Sequence, residues 1–156
     1  MSRLAAWALT AVVGLAGCGS RQAAGPPVIR YGEAACAECR MLISEERFAA
    51  AARSVGGETA VFDDIGCLIR HVARWHAPPS HVWVHAYETG AWVDGRHAWY
   101  VRSNALMTPM GSGIAAFAGD AEGREAAASL RGEVVPFVAL QEEERACVDA
   151  SPSCRG

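Results

Sequence analysis

The chain has 156 residues, 51% of them hydrophobic, and a formal net charge of −3 from 14 basic and 17 acidic side chains. No basic run occurs, which argues against nucleic acid as a partner, and no polybasic patch is present for lipid headgroups. Beyond the leader described next, the length fits one small domain or two very small ones.

The first residues, "MSRLAAWALTAVVGLAGC", place Arg3 ahead of an apolar run that ends in small residues. This is the pattern of a secreted leader, 1–17, and it is excluded from fold reasoning. It is shorter than the roughly 20 apolar residues that span a bilayer. "LAGC" resembles a bacterial lipoprotein signal box, which makes Cys18 the expected lipidated N-terminus. Gly19 stands where an inner-membrane retention signal has Asp, which favours the outer membrane. Residues 18–30, with "GSRQAAGPP", read as a flexible tether with a stiff end.

Residues 40–62 predict a β-hairpin turning at Gly56-Gly57, although the alanine run 49–52 could equally start a helix. "DDIGCLIRHVARW" predicts a helix with apolar positions at Ile65, Leu68, Ile69 and Val72, an Asp63 or Asp64 cap, and a stop at "HAPP". "HVWVHAY" (81–87) alternates as a strand. The pattern then restarts. Residues 91–103 read as a hairpin or paired strands around Asp94-Gly95, 113–119 as a strand, 120–132 as a helix capped by Asp120, and 133–140 as the last strand. The expected fold is α+β with mostly antiparallel sheet, in two ββαβ-like units at about 31–87 and 88–140. A polar tail, 141–156, follows, and Cys147 and Cys154 within it read as a small loop disulfide in an oxidising compartment.

"CAECRM" (36–41) raises the chemical question. If 39–43 is extended, Cys39 and Met41 share a face and Cys36 folds back across a bend. Two thiolates and a thioether favour Cu(I); zinc takes thiolates but seldom methionine. A redox pair, a zinc half-site and a disulfide remain open for a CxxC, although no βαβ pattern surrounds this one. "NALMTPMGSG" adds Met107 and Met110 in a turn-rich loop, where Met110 is a candidate ligand and Met107 reads as core. His85 is the best histidine candidate. His71 and His76 read as helix-face residues, and His97 carries no pattern. Cys67 falls off the predicted apolar face, either as a further ligand or as an inert thiol.

In order along the chain, "CAECRMLI", "FDDIGCLIRHV", "VWVHAYETGAWVDGRHAWYV" and "TPMGSGIAAFAG" resemble the NosL-type lipoproteins, accessory proteins of nitrous oxide reductase. The resemblance runs from about residue 36 to 140. It implies a pair of ββαβ-like units related to organomercurial lyase. It also implies a membrane-anchored Cu(I) chaperone facing the periplasm and serving denitrification. The implied partners are nitrous oxide reductase and an ABC-transporter and periplasmic assembly machinery. Cys36, Cys39 and Met41 match the family's CxxCxM and Met110 its TPMG methionine. His85 lies where the family often shows "VHDY", but Ala86 replaces the acid. Arg40 replaces a residue that is often small. The expectation is therefore a binding protein and not an enzyme. An organomercurial-lyase-like enzyme using Cys36 or Cys39 with Asp63 or Asp64, and a redox or zinc-binding lipoprotein, are the alternatives.

Overall fold

The computed structural model describes residues 25–150. The predicted leader, the expected lipidation site Cys18 and the tail cysteine Cys154 lie outside the described residues. β1 (Ala50–Arg53) and β2 (Thr59–Phe62) form the predicted hairpin, with Ala50 opposite Phe62 and Arg53 opposite Thr59. The alanines are strand, not helix. β1 lies in the middle of its sheet with Ala50, Ala51 and Ala52 fully buried, so short side chains suit a strand covered on both faces. Helix propensity yields to packing here.

α1 (Ile65–Ala73) begins where the sequence placed it. Asp64 is extended, and its carboxylate accepts the Gly66 N–H at 2.6 Å, the geometry of an N-cap. β3 (His81–His85) returns antiparallel to β1, and β4 (Trp92–Asp94) adds an edge, giving the order β2-β1-β3-β4. The chain then leaves this sheet. β5 (Trp99–Arg102), β6 (Ile114–Phe117) and β7 (Glu133–Val135) build a second sheet of order β6-β5-β7, with α2 (Asp120–Ser129) between β6 and β7. In both sheets the first strand lies between the second and the third, with a helix inserted before the third. The ββαβ unit therefore occurs twice. A parallel bridge between Ala86 and Ala116 joins the two sheets, where the Tyr87 N–H donates to the Ala116 carbonyl at 2.8 Å.

Several expectations need correction. Residues 91–103 are not a hairpin, because β4 pairs with β3 and β5 pairs with β6 and β7. The first unit therefore extends past residue 87 to β4. The N-cap of α2 is Gly119, with Asp120 the first helical residue. Ile29, assigned to the tether, packs in the first core. The last predicted strand ends at Val135, and after Pro136 the chain forms α3 (Phe137–Ala150), which takes in most of the supposed polar tail. The Pro136 carbonyl accepts from the Ala139 and Leu140 N–H groups and so opens this helix. Phe137 stacks on Tyr100 at 5.9 Å, Leu140 is buried, and α3 packs along α1. Cys147 on α3 is disulfide-bonded. Among the described residues no helix is long and apolar enough to cross a membrane.

Candidate metal centre

The stretch 36–41 is a tight turn and not a strand. The Cys36 N–H donates to the Met41 carbonyl at 2.8 Å and the Arg40 N–H to the Cys36 carbonyl at 3.1 Å, while Ala35 and Leu42 bridge antiparallel beyond them. Arg40 closes the turn with φ of 66°. That left-handed conformation disfavours L side chains by roughly 1–2 kcal/mol, a strain that glycine, with no Cβ, would escape. It also breaks the two-residue alternation, so Cys39 and Met41 gain no common strand face. Met41 is 59% exposed.

The turn instead meets α1. The sulfurs of Cys36, Cys39 and Cys67 lie within 4.8 Å of one another, with Cys36 and Cys67 fully buried and Cys39 partly so. All three are free thiols. Every residue of the first half of α1, from Ile65 to Ile69, is buried, Cys67 among them.

The cluster is electrostatically asymmetric. Cys36 is pulled down to about 5, first by the hydrogen bond from the Cys67 thiol, against the burial that raises it, and then by backbone N–H groups of Cys39, Asp63 and Glu38. Donating that hydrogen bond pushes the Cys67 thiol up, and burial adds to it. Burial raises Cys39. One thiolate therefore stands ready at neutral pH, with two thiols beside it. Arg70, one turn along α1, reaches the Cys67 sulfur at 3.4 Å. The thiolate ultraviolet absorbance of the metal-free protein is expected to rise as pH increases through about 5, well below the ordinary thiol value of 9.0. The rise is absent in Cys36→Ser. A wild-type rise confined to the ordinary thiol range contradicts the assignment.

The neighbouring carboxylates hold the scaffold. Asp63 accepts the Ser44 N–H at 3.0 Å, and burial raises its pKa. Asp64 caps α1 with Oδ1 and accepts the Met110 N–H at 3.0 Å with Oδ2. Met110 is thus tethered through its backbone beside the helix start, and its side chain is 39% exposed. Gly113 shapes this loop, since at φ of 65° a Cβ there would lie 2.5 Å from the Ser103 carbonyl oxygen. Met107, read as core, is 87% exposed. His85 is buried in β3 with both ring nitrogens engaged. Its Nδ1 donates to the Gly90 carbonyl at 2.6 Å, so Nε2 accepts from the Tyr31 hydroxyl at 3.0 Å. Burial lowers its pKa, consistent with this neutral tautomer. The signal for Cys67 was its register with the two acids that start α1. That register became informative only once the cysteine turn was known to pack there.

Two ββαβ units with three converging thiols between a turn and a helix define a small α+β protein whose cysteine cluster is fit to hold a metal ion. The crystal structure of the copper chaperone NosL from Shewanella denitrificans shares this fold, with a TM-score of 0.66 and 17% sequence identity over 73% of this chain and 93% of that one. The NosL family model matches residues 27–145, and the chain belongs to the NosL family. No curated protein sequence matches the chain.

Proposed function

We propose that the protein is a lipid-anchored, periplasm-facing carrier of Cu(I) that supplies copper for the maturation of nitrous oxide reductase. The observation that carries this reading is the convergence of the Cys36, Cys39 and Cys67 sulfurs within 4.8 Å. Thiolates are soft donors, and three of them at one point suit Cu(I). Cu(I) with three thiolates carries a net charge of −2, and Arg70 against Cys67 offsets part of it. The fold shared with a copper chaperone supports the same cargo.

Carriage and not catalysis is the task. A ligand-exchange carrier needs donors that hold the ion and donors that let it go. The buried thiolates do the first, and the exposed thioethers of Met41 and Met110 are weak, exchangeable donors on the adjoining turn and loop. His85 remains a structural residue unless its Nε2 gives up the hydrogen bond from Tyr31. The lyase alternative is left with one candidate acid, Asp63, which holds the Ser44 N–H, because Asp64 gives both carboxylate oxygens to backbone N–H groups. Thiol ligands lose their protons on binding, so affinity rises with pH.

Acyl chains on Cys18 would hold the carrier at the membrane, at about 0.8 kcal/mol per buried CH₂. The partners in this reading are nitrous oxide reductase and its ABC-transporter and periplasmic assembly proteins. In an expression host that carries this assembly machinery, deleting the gene is expected to leave nitrous oxide reductase poor in copper. The Cys18→Ala form should leave the membrane fraction. Full copper loading of the reductase without this protein, under copper limitation, contradicts the proposal.

A further inference from the structure

Cys36 and Cys67 are fully buried, so an ion reaching them needs a route past the surface. An open groove of about 960 Å³ runs beside the cysteine turn. Ala37 and Arg40 of the turn line it, together with Glu58 of the β1–β2 connection and His71, Arg74 and Trp75 at the end of α1. His71 follows Cys67 by four residues on the same helix, so the two side chains are neighbours on one face. The second tether comes from the turn. Glu38, between Cys36 and Cys39, places Oε2 2.9 Å from His71 Nδ1, and Arg74 pairs with the same oxygen.

A carboxylate only accepts, so Nδ1 carries a proton, and the neutral form of that tautomer has its lone pair at Nε2. Nε2 makes no hydrogen bond among the described residues. Phe62 and Trp75 flank the imidazole at 5.1 and 5.8 Å between ring centres. An imidazole fixed by a carboxylate on one nitrogen and open on the other is the arrangement of histidine metal ligands. Yet His71 lies outside the three-thiol cluster.

We propose, resting on the Cu(I)-carrier reading, that His71 is the access donor of the site: copper binds Nε2 in the groove before it passes to the thiols, and returns there on leaving. The exchange is not a redox step. On entry one Cu–N bond breaks as one Cu–S bond forms, the metal stays Cu(I), and a ligand sulfur that is still protonated releases its proton to solvent. On departure the Cu–S bond breaks, the sulfur regains a proton, and the Cu–N bond forms again. A partner's soft donor reaching into the groove then takes the ion. Glu38 and Arg74 are positioning residues that aim the ring.

The test compares wild type, His71→Ala and His71→Met in equilibrium Cu(I) competition and in the rate of Cu(I) removal by the chelator bathocuproine disulfonate. A kinetic donor predicts that His71→Ala slows removal by about tenfold, leaves the equilibrium affinity within a few-fold, and is rescued by the soft donor in His71→Met. A thermal melt confirms that each variant is folded, as expected for a side chain that is 26% exposed. Unchanged removal rates in His71→Ala overturn the inference and leave the carrier reading standing. A large affinity loss with an unchanged rate overturns it as well, since His71 would then be a resident ligand. Wild type that binds no Cu(I) overturns both.

Discussion

Cys36→Ser, Cys39→Ser and Cys67→Ser are each expected to weaken Cu(I) binding by about a hundredfold or more, a loss of at least about 2.7 kcal/mol. Cys36 leads the order, because it is fully buried and already a thiolate near neutral pH. Replacing it removes the one anionic donor present before metal arrives. Cys67→Ser separates this site from a CxxCxM site confined to the turn. In the three-thiol site Cys67 is a full donor and exposed Met41 a peripheral one, so Met41→Ala should cost no more than a few-fold. Met110→Ala should fall between them, since its loop is tied to the start of α1 through Asp64. Competition with bathocuproine disulfonate measures all five variants on one scale. A Met41→Ala loss larger than that of Cys67→Ser contradicts the cluster.

Asp64→Ala is expected to be the most destabilising single change near the site. It removes the N-cap of α1, which contributes about 0.5–2 kcal/mol. It also strands the Met110 N–H, which loses a hydrogen bond to a charged group worth about 1.5–3 kcal/mol. The carboxylate is fully buried and serves both donors, so nothing nearby replaces it. A combined loss near 3 kcal/mol lowers Tm by about 10 °C in a domain of this size. Asp64→Asn keeps an amide oxygen for the cap but turns a donor toward Met110, so it should lie between wild type and Asp64→Ala. Thermal unfolding checks the order, and amide exchange at Met110 checks the loop. Equal Tm values for Asp64→Ala and wild type would show that the cap and the tether contribute nothing.

Local chemistry in the sequence pointed to much of this fold. The paired glycines announced the β1–β2 turn, Asp64 the start of α1, and alternation in "HVWVHAY" the strand that became β3. The repeated ββαβ order was also visible, because each unit carries its own turn and cap signals. What failed were features decided by distant partners. Nothing local tells β4 and β5 that they join different sheets. α3 was hidden because Val134 and Val135 read as strand and the pattern was carried across Pro136. Yet Pro136 followed by Phe137 and Leu140, then "QEEERA", has the spacing and composition of a helix start.

That miss had a consequence at the site. With no α3 to pack on it, α1 was given one apolar face, and Cys67 fell outside that face. In the structure the turn and α3 also cover the helix, and Cys67 is buried beside Cys36 and Cys39. The turn itself was misread because Arg40 adopts a left-handed conformation that its residue type does not advertise. Met41 was therefore given a common face with Cys39 that the turn does not provide. His71 read only as a helix-face residue because Glu38, which holds its Nδ1, is 33 residues away in the chain.

X-ray absorption at the copper edge, on wild type and Cys67→Ser loaded with one equivalent of Cu(I), tests the three-thiol site most directly. The account predicts a first shell made of sulfur in the wild type, with one sulfur fewer in Cys67→Ser. A wild-type shell dominated by nitrogen or oxygen, or a sulfur count unchanged by Cys67→Ser, would contradict it.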